Sequence, residues 1–278
     1  MIEKKWEMWI VKILYGDMTW PEIKEAAKNN RVPLIPVGST EQHGLHLPTR
    51  TDALLAYEIC KAAAMEIPEE TVVMPPVNYG YNEHHLDFPA TIHINHETLI
   101  RFVIDIGKSL ARHGFRRIII VNGHGSNTAP MEIAARRITL ESSAICASLT
   151  YISLAPEVFG LLEAESAHGG ELETSLMLYV KPELVDMKKA RRDWSFPKSK
   201  FIKWGVEKGQ RNFGVSGGKV QFMDWWSRLS STGVLGDPTK ASKGKGEKAF
   251  KLYVASLVEF IREFRKREIP PRKDYHLP

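Results

Sequence analysis

Arg116-Arg117-Ile118-Ile119-Ile120-Val121 runs straight into Asn122-Gly123-His124-Gly125-Ser126-Asn127, and a helical pattern follows from about Pro130 to Glu141. A continuous β-branched run of this kind suits a parallel strand covered on both faces. Working outward, Val32-Pro33-Leu34-Ile35-Pro36-Val37 reads as a second buried strand, Thr71-Val72-Val73-Met74 as a third and residues 143–152 as a fourth. Helical periodicity falls between them: from about Thr19, from Asp52 to Met65, from Glu97 to a stop at Gly114, from Glu171 to Val180, and from about 240 to 266. Alternating strand and helix predicts an α/β fold with a mostly parallel central sheet and helices on both faces. One domain over 1–278 is expected. A tryptophan- and lysine-rich excursion at 191–236 is read as covering the site or packing against a neighbouring subunit.

The chemistry concentrates in the loops after the strands, where open α/β sheets place their ligands. Glu41 and His43 are two apart, so an extended segment projects both to one side. Asp52 opens the next helix, and His124 follows the Ile118–Val121 strand between two glycines that let its backbone approach a ligand closely. Carboxylate, imidazole, carboxylate, imidazole is a ligand set for Zn, Mn or Fe rather than copper or an iron–sulfur cluster. A carboxylate such as Asp52 can bridge two ions about 3.5–4 Å apart. Blander roles exist for each residue: Glu41 capping a backbone amide, Asp52 capping its own helix. In Glu165-Ser166-Ala167-His168-Gly169-Gly170-Glu171-Leu172-Glu173, His168 is expected as general acid or oxyanion holder, and Glu173 as a ligand or as the group orienting one. The helix dipole favours acidic residues there in any protein. His84 and His85 stand in an irregular loop at 77–96, and a packing role is expected for them, the alternative being that one of them reaches the pocket.

The charge of +5 over 278 residues is mild, and no arginine-rich run with interleaved aromatics suggests nucleic acid. No stretch of 18 apolar residues suggests a membrane span, and Lys12 interrupts the only leader-like run, so a cytoplasmic location is expected. Cys60 and Cys146 lie in helical and strand-like patterns and are expected as reduced core thiols.

The chain resembles the creatininase (creatinine amidohydrolase) family. The resemblance is carried by Gly38-Ser39-Thr40-Glu41-Gln42-His43-Gly44 with Thr51-Asp52, by Tyr79-Gly80 through His85 and Phe88-Pro89-Ala90-Thr91, by Asn122 to Asn127, by His168 to Ser175, and by Gly233-Val234-Leu235-Gly236-Asp237-Pro238. It implies a three-layer αβα domain with two divalent metal ions: Glu41 and His124 on one, His43 on the other, Asp52 bridging both. It also implies a homo-oligomer, often hexameric. The family's reactions are mostly hydrolyses at amide-like C–N bonds, including creatinine ring opening, formamide removal and a peptide-trimming step; one branch hydrolyses a cyclic inositol-derived ketone. Creatinine-hydrolysing members carry a glutamate ligand where this chain has Ser126, the usual His-Ala-Gly is His168-Gly169-Gly170, and the usual Phe-Pro-Gly-Thr has Ala90. These departures argue against creatinine itself. The expected activity is cleavage of an amide-type C–N bond in a small cyclic or formylated substrate, by a metal-bound hydroxide with His168 serving the leaving group. The alternatives are carbon–carbon hydrolysis of an inosose and a metal-free binding protein on the same scaffold.

Overall fold

Four strands form a parallel sheet: β1 (Val32–Val37), β2 (Thr71–Val73), β3 (Arg117–Asn122) and β4 (Ile145–Thr150), in the order β2-β1-β3-β4. The computed structural model describes residues 11–195, 220 and 222–276. β1 lies against β3 from Leu34 opposite Ile119 to Val37 opposite Asn122, and β3 pairs with β4 along its whole length.

The two sheet faces bury different side chains, as the two-residue period of a strand requires. Val32, Leu34, Val73, Ile119 and Val121 pack with α2 (Thr51–Glu66), α5 (Glu171–Val180) and α7 (Lys243–Lys266). Ile35, Val37, Val72, Ile118 and Ile120 pack with α1 (Trp20–Lys28), α3 (His96–Arg112) and α4 (Thr128–Glu141). The layers are therefore α, β, α. Ile118, Ile119 and Ile120 are fully buried, each worth roughly 1.5–3 kcal/mol over an exposed side chain. A parallel sheet clad on both faces is what the unbroken β-branched run demands.

Helix ends follow local chemistry. Thr19 precedes α1, and the Glu22 carboxylate accepts from its backbone N–H, as a capping box does. The Asn95 side chain accepts from Glu97 N–H at 2.8 Å to start α3. Some expected boundaries shift: α4 begins at Thr128 rather than Pro130, β2 ends at Val73 rather than Met74, and β4 occupies only Ile145–Thr150 of the 143–152 run.

One strand pairing was not anticipated. β5 (Ser166–His168) pairs antiparallel with β6 (Leu235–Gly236), joining the His168 segment to the end of the 191–236 excursion. Residues 196–219 and 221 of that excursion, Trp204 among them, lie outside the described residues. Its described end holds the short helix α6 (Trp226–Leu229), where Trp226, Leu229 and Leu235 form a small core with Phe88, Ala167, Trp194 and Met223. Cys60 and Cys146 are free thiols. Among the described residues, no helix is long and apolar enough to cross a membrane.

Candidate metal centre

The loops after β1 and β3 leave the same sheet edge, and backbone pairing continues past both strands: Gly123 N–H donates to Val37 O at 2.8 Å and Gly38 N–H to Val77 O at 2.9 Å. The first turn of α2 sits directly on the β3 loop. A Cβ at Gly123 would lie 2.5 Å from the Asp52 carbonyl oxygen, so this glycine is needed for the approach of Asp52 to His124. Asn127 stitches three loops together, donating to Gly38 O and accepting from Tyr81 N–H, both at 2.9 Å.

Glu41, His43, Asp52 and His124 converge. Asp52 Oδ1 lies 3.0 Å from His43 Nε2, and Oδ2 lies 3.0 Å from His124 Nδ1 and 2.9 Å from the donating Ser39 hydroxyl. His124 Nδ1 is 3.2 Å from Glu41 Oε1. The capping role for Asp52 does not hold: Arg50 occupies the N-cap of α2, leaving the Asp52 carboxylate to the centre. Nor does Glu41 cap an amide, because both its carboxylate oxygens are buried without a hydrogen-bond donor.

His168 Nδ1 faces Glu41 Oε1 at 3.6 Å. The Glu173 carboxylate accepts from Gly169 N–H at 2.6 Å and, with His43 and His168, forms a group whose potential ligand atoms all lie within 4.8 Å of one another. Glu41, Asp52 and His124 form another such group, and Glu41, His85 and His168 a third. The Ser126 hydroxyl lies 3.2 Å from His84 Nε2.

The fit to metal ions rests on where the ring protons are. A metal-bound histidine donates its other ring N–H to a carbonyl or carboxylate and turns a lone pair on the ion. His43 Nδ1 has the Glu41 carbonyl at 3.2 Å, His124 Nε2 the Tyr81 carbonyl at 3.2 Å, and His168 Nε2 the Gln42 carbonyl at 2.7 Å. With those N–H groups engaged, His43 Nε2 and His124 Nδ1 turn lone pairs on carboxylate oxygens about 3 Å away. Lone pair against anion is repulsive unless a cation or a proton lies between. The orphaned Glu41 oxygens make the same demand, so the residues present fit divalent ions.

Without metal, protons take that place. Burial works against a charged His43 ring, but Asp52, Glu173 and Glu41 outweigh it and push its pKa up to about 10. His124 is likewise lifted well above the usual range by Glu41 and Asp52 against its burial. Burial would raise Asp52, yet His43 and His124 hold it well below the normal carboxylate range. Burial, with Asp52 and Glu41 nearby, lifts Glu173 to about 7 despite His43. His85 and His168 are pushed well below the usual range, first by burial and then by neighbouring imidazoles. Perturbed groups packed this densely mark a functional site.

Of the two loop histidines, His85 is the one that reaches the pocket. A 3-10 turn at Glu83–His85 carries its ring to the centre, with Nε2 3.8 Å from Glu41 Oε1. Nothing in the local pattern at 77–96 sets His85 apart from His84; the family motif running through His85 to Thr91 was the available signal. Trp226, at the end of the 191–236 excursion, covers the His85 ring. Its indole stacks on His85, with ring centroids 4.3 Å apart and planes inclined by 28°.

An α/β sheet with imidazoles and carboxylates gathered at one strand edge defines a metal-dependent enzyme. The chain belongs to the creatininase family, whose model, described as creatinine amidohydrolase, matches residues 16–261; it is a metal-dependent hydrolase of amidohydrolase type. A creatinine amidohydrolase of Pseudomonas putida is 31% identical, covering 93% of this chain and 98% of that protein. A mycofactocin precursor peptide peptidase of Mycobacterium ulcerans is 30% identical (87% and 85%), and a 3-dehydro-scyllo-inosose hydrolase of Thermotoga maritima is 26% identical (93% and 87%). Among solved structures, a mutant creatininase of Zn-Zn type superposes with a TM-score of 0.77 at 29% identity, over 92% of this chain and 99% of that one. A manganese creatininase gives 0.73 at 30% identity, over 92% and 100%.

Proposed function

We propose that this protein is a two-metal hydrolase cleaving an amide-type C–N bond in a small cyclic or formylated substrate. The observation that carries it is Asp52, whose two oxygens face two different imidazoles while the Glu41 oxygens beside them lack any donor. In this reading Glu41, Asp52 and His124 hold one ion, and His43, Asp52 and Glu173 hold the other. Glu173 then takes the part that Ser126 cannot. When bound, ions at these residues would supply an acidified water and a polarised carbonyl. His168 Nδ1, facing the centre with its opposite nitrogen anchored on the Gln42 carbonyl, accepts the proton of the attacking water and returns it to the leaving nitrogen. Trp226 shields the ring cluster of His84, His85 and His168 from solvent. On the family resemblance the enzyme is a homo-oligomer.

The similarity to an inosose hydrolase supports a second reading, hydrolysis of a carbon–carbon bond in a cyclic polyol ketone at the same centre. Metal-reconstituted protein should be assayed against creatinine, N-formyl compounds, short peptides and inososes. Turnover of formyl or cyclic amides supports the first reading; turnover of inososes alone supports the second. A purified protein with no metal and no affinity for zinc or manganese on titration would instead be a binding protein on this scaffold.

A further inference from the structure

Three of the four histidines facing Glu41 or Asp52 spend their N–H on backbone carbonyls and turn lone pairs inward. His85 is built the other way round. Its outward Nδ1 lies 2.9 Å from the side-chain nitrogen of Gln42, and the orientation of that amide is not free. Gln42 Oε1 accepts from Gly44 N–H at 2.9 Å, and Nε2 donates to the Gly233 carbonyl at 3.0 Å. A flipped amide would set its oxygen against the Gly233 carbonyl and its NH₂ against the Gly44 N–H. The second amide hydrogen therefore points at His85 Nδ1, which must be the acceptor. A neutral imidazole that accepts at Nδ1 carries its proton on Nε2, the nitrogen facing Glu41. The same amide nitrogen lies 3.1 Å from His168 Nε2. That is a contact between two donors, because both amide hydrogens and the His168 N–H are already engaged.

The surroundings hold this arrangement. Gly233 has φ +85°, and a Cβ there would lie 1.9 Å from Gln42 Oε1, so only glycine brings this carbonyl so close. Its oxygen also accepts from the Trp226 indole N–H at 2.8 Å, and that indole is the one stacked on His85. The preceding turn hangs on Asp193 Oδ2, which accepts from the Ser230 hydroxyl at 3.0 Å and the N–H groups of Ser231 and Thr232 at 2.9 and 3.1 Å.

We propose that His85 is not a metal ligand but the hydrogen-bond donor of the centre, presenting Nε2–H to the carbonyl oxygen of the substrate as it gains negative charge, and that Gln42 is its positioning residue. This rests on the hydrolase reading above. Among the four inward histidines, three offer electron pairs; a developing oxyanion needs a donor, and His85 alone of them supplies one.

Nitrogen-15 NMR of histidine-labelled protein, with and without zinc, reads the tautomer directly, the His85 signals being identified by their loss in His85→Gln. The expected result is the Nε2–H tautomer in both states, and the same zinc content in wild type, His85→Gln and His85→Ala. On whichever substrate the screen identifies, His85→Ala should lower kcat by about 10²–10³-fold, and His85→Gln, which keeps an N–H, should recover part of it. An Nδ1–H tautomer with zinc on Nε2, loss of one zinc in His85→Gln, or an unchanged kcat in His85→Ala would overturn the assignment. A protein that binds no zinc would sink the hydrolase reading instead, while the tautomer in the same spectrum still decides whether His85 is a donor.

Discussion

Asp52 Oδ2 lies 3.0 Å from His124 Nδ1, on a ring whose other nitrogen has the Tyr81 carbonyl at 3.2 Å. The second oxygen of the same carboxylate meets His43 in the same way. Removing this carboxylate should therefore empty both positions. In Asp52→Ala, elemental analysis is expected to find little metal, and turnover should fall more than about 100-fold, beyond what loss of an outer partner costs. Two equivalents of metal retained in that variant would disprove the bridge.

Stability should respond to pH in opposite senses with and without metal. In chelated protein, the His43 pKa of about 10 stands above its unfolded value, so its contribution is complete below about pH 6.5 and disappears as pH rises towards 10. Glu173, lifted to about 7 from 4.5, likewise loses its contribution between those values. Metal must displace these protons, so its affinity grows as pH rises. Thermal melts from pH 6 to 9 should show the gap in Tm between loaded and chelated protein widening. Parallel curves would argue against metal at these residues.

Ser126, where the family resemblance implies a glutamate ligand, has its hydroxyl 3.2 Å from His84 Nε2. Ser126→Glu should add a carboxylate to the second ion. Calorimetric titration is expected to show the second equivalent binding about 10-fold tighter, with the first nearly unchanged. Equal gains at both steps would mean that the new carboxylate acts only through its charge.

Ala90 adopts φ +70°, in the left-handed region. That conformation costs an L-residue roughly 1–2 kcal/mol, against which glycine's extra freedom in the unfolded chain costs about 0.4–1. Ala90→Gly should accordingly stabilise the protein by about 0.5 kcal/mol in urea titration. A destabilised variant would show that the Ala90 methyl makes contacts that matter more than its backbone.

Much of this molecule is local enough to read along the chain. Ile118 to Val121 declared a doubly covered parallel strand because no polar residue interrupts it, and α5 matches its expected bounds because glycines precede it and Pro182 ends it. Glu41, His43, Asp52 and His124 were legible because parallel strands open their following loops at one edge. Contacts between residues far apart in the chain left no such pattern. The β5–β6 pairing joins residues some 70 apart, and the His85 ring is held by Gln42, Gly233 and Trp226 from three separate segments. Which atoms a histidine turns inward depends on the partner behind it, and that partner is chosen by folding. Periodicity thus determined the layers, and position after parallel strands the residues that gather at one sheet edge. Only the tertiary structure decided that one imidazole in the cluster gives a proton where the others offer lone pairs.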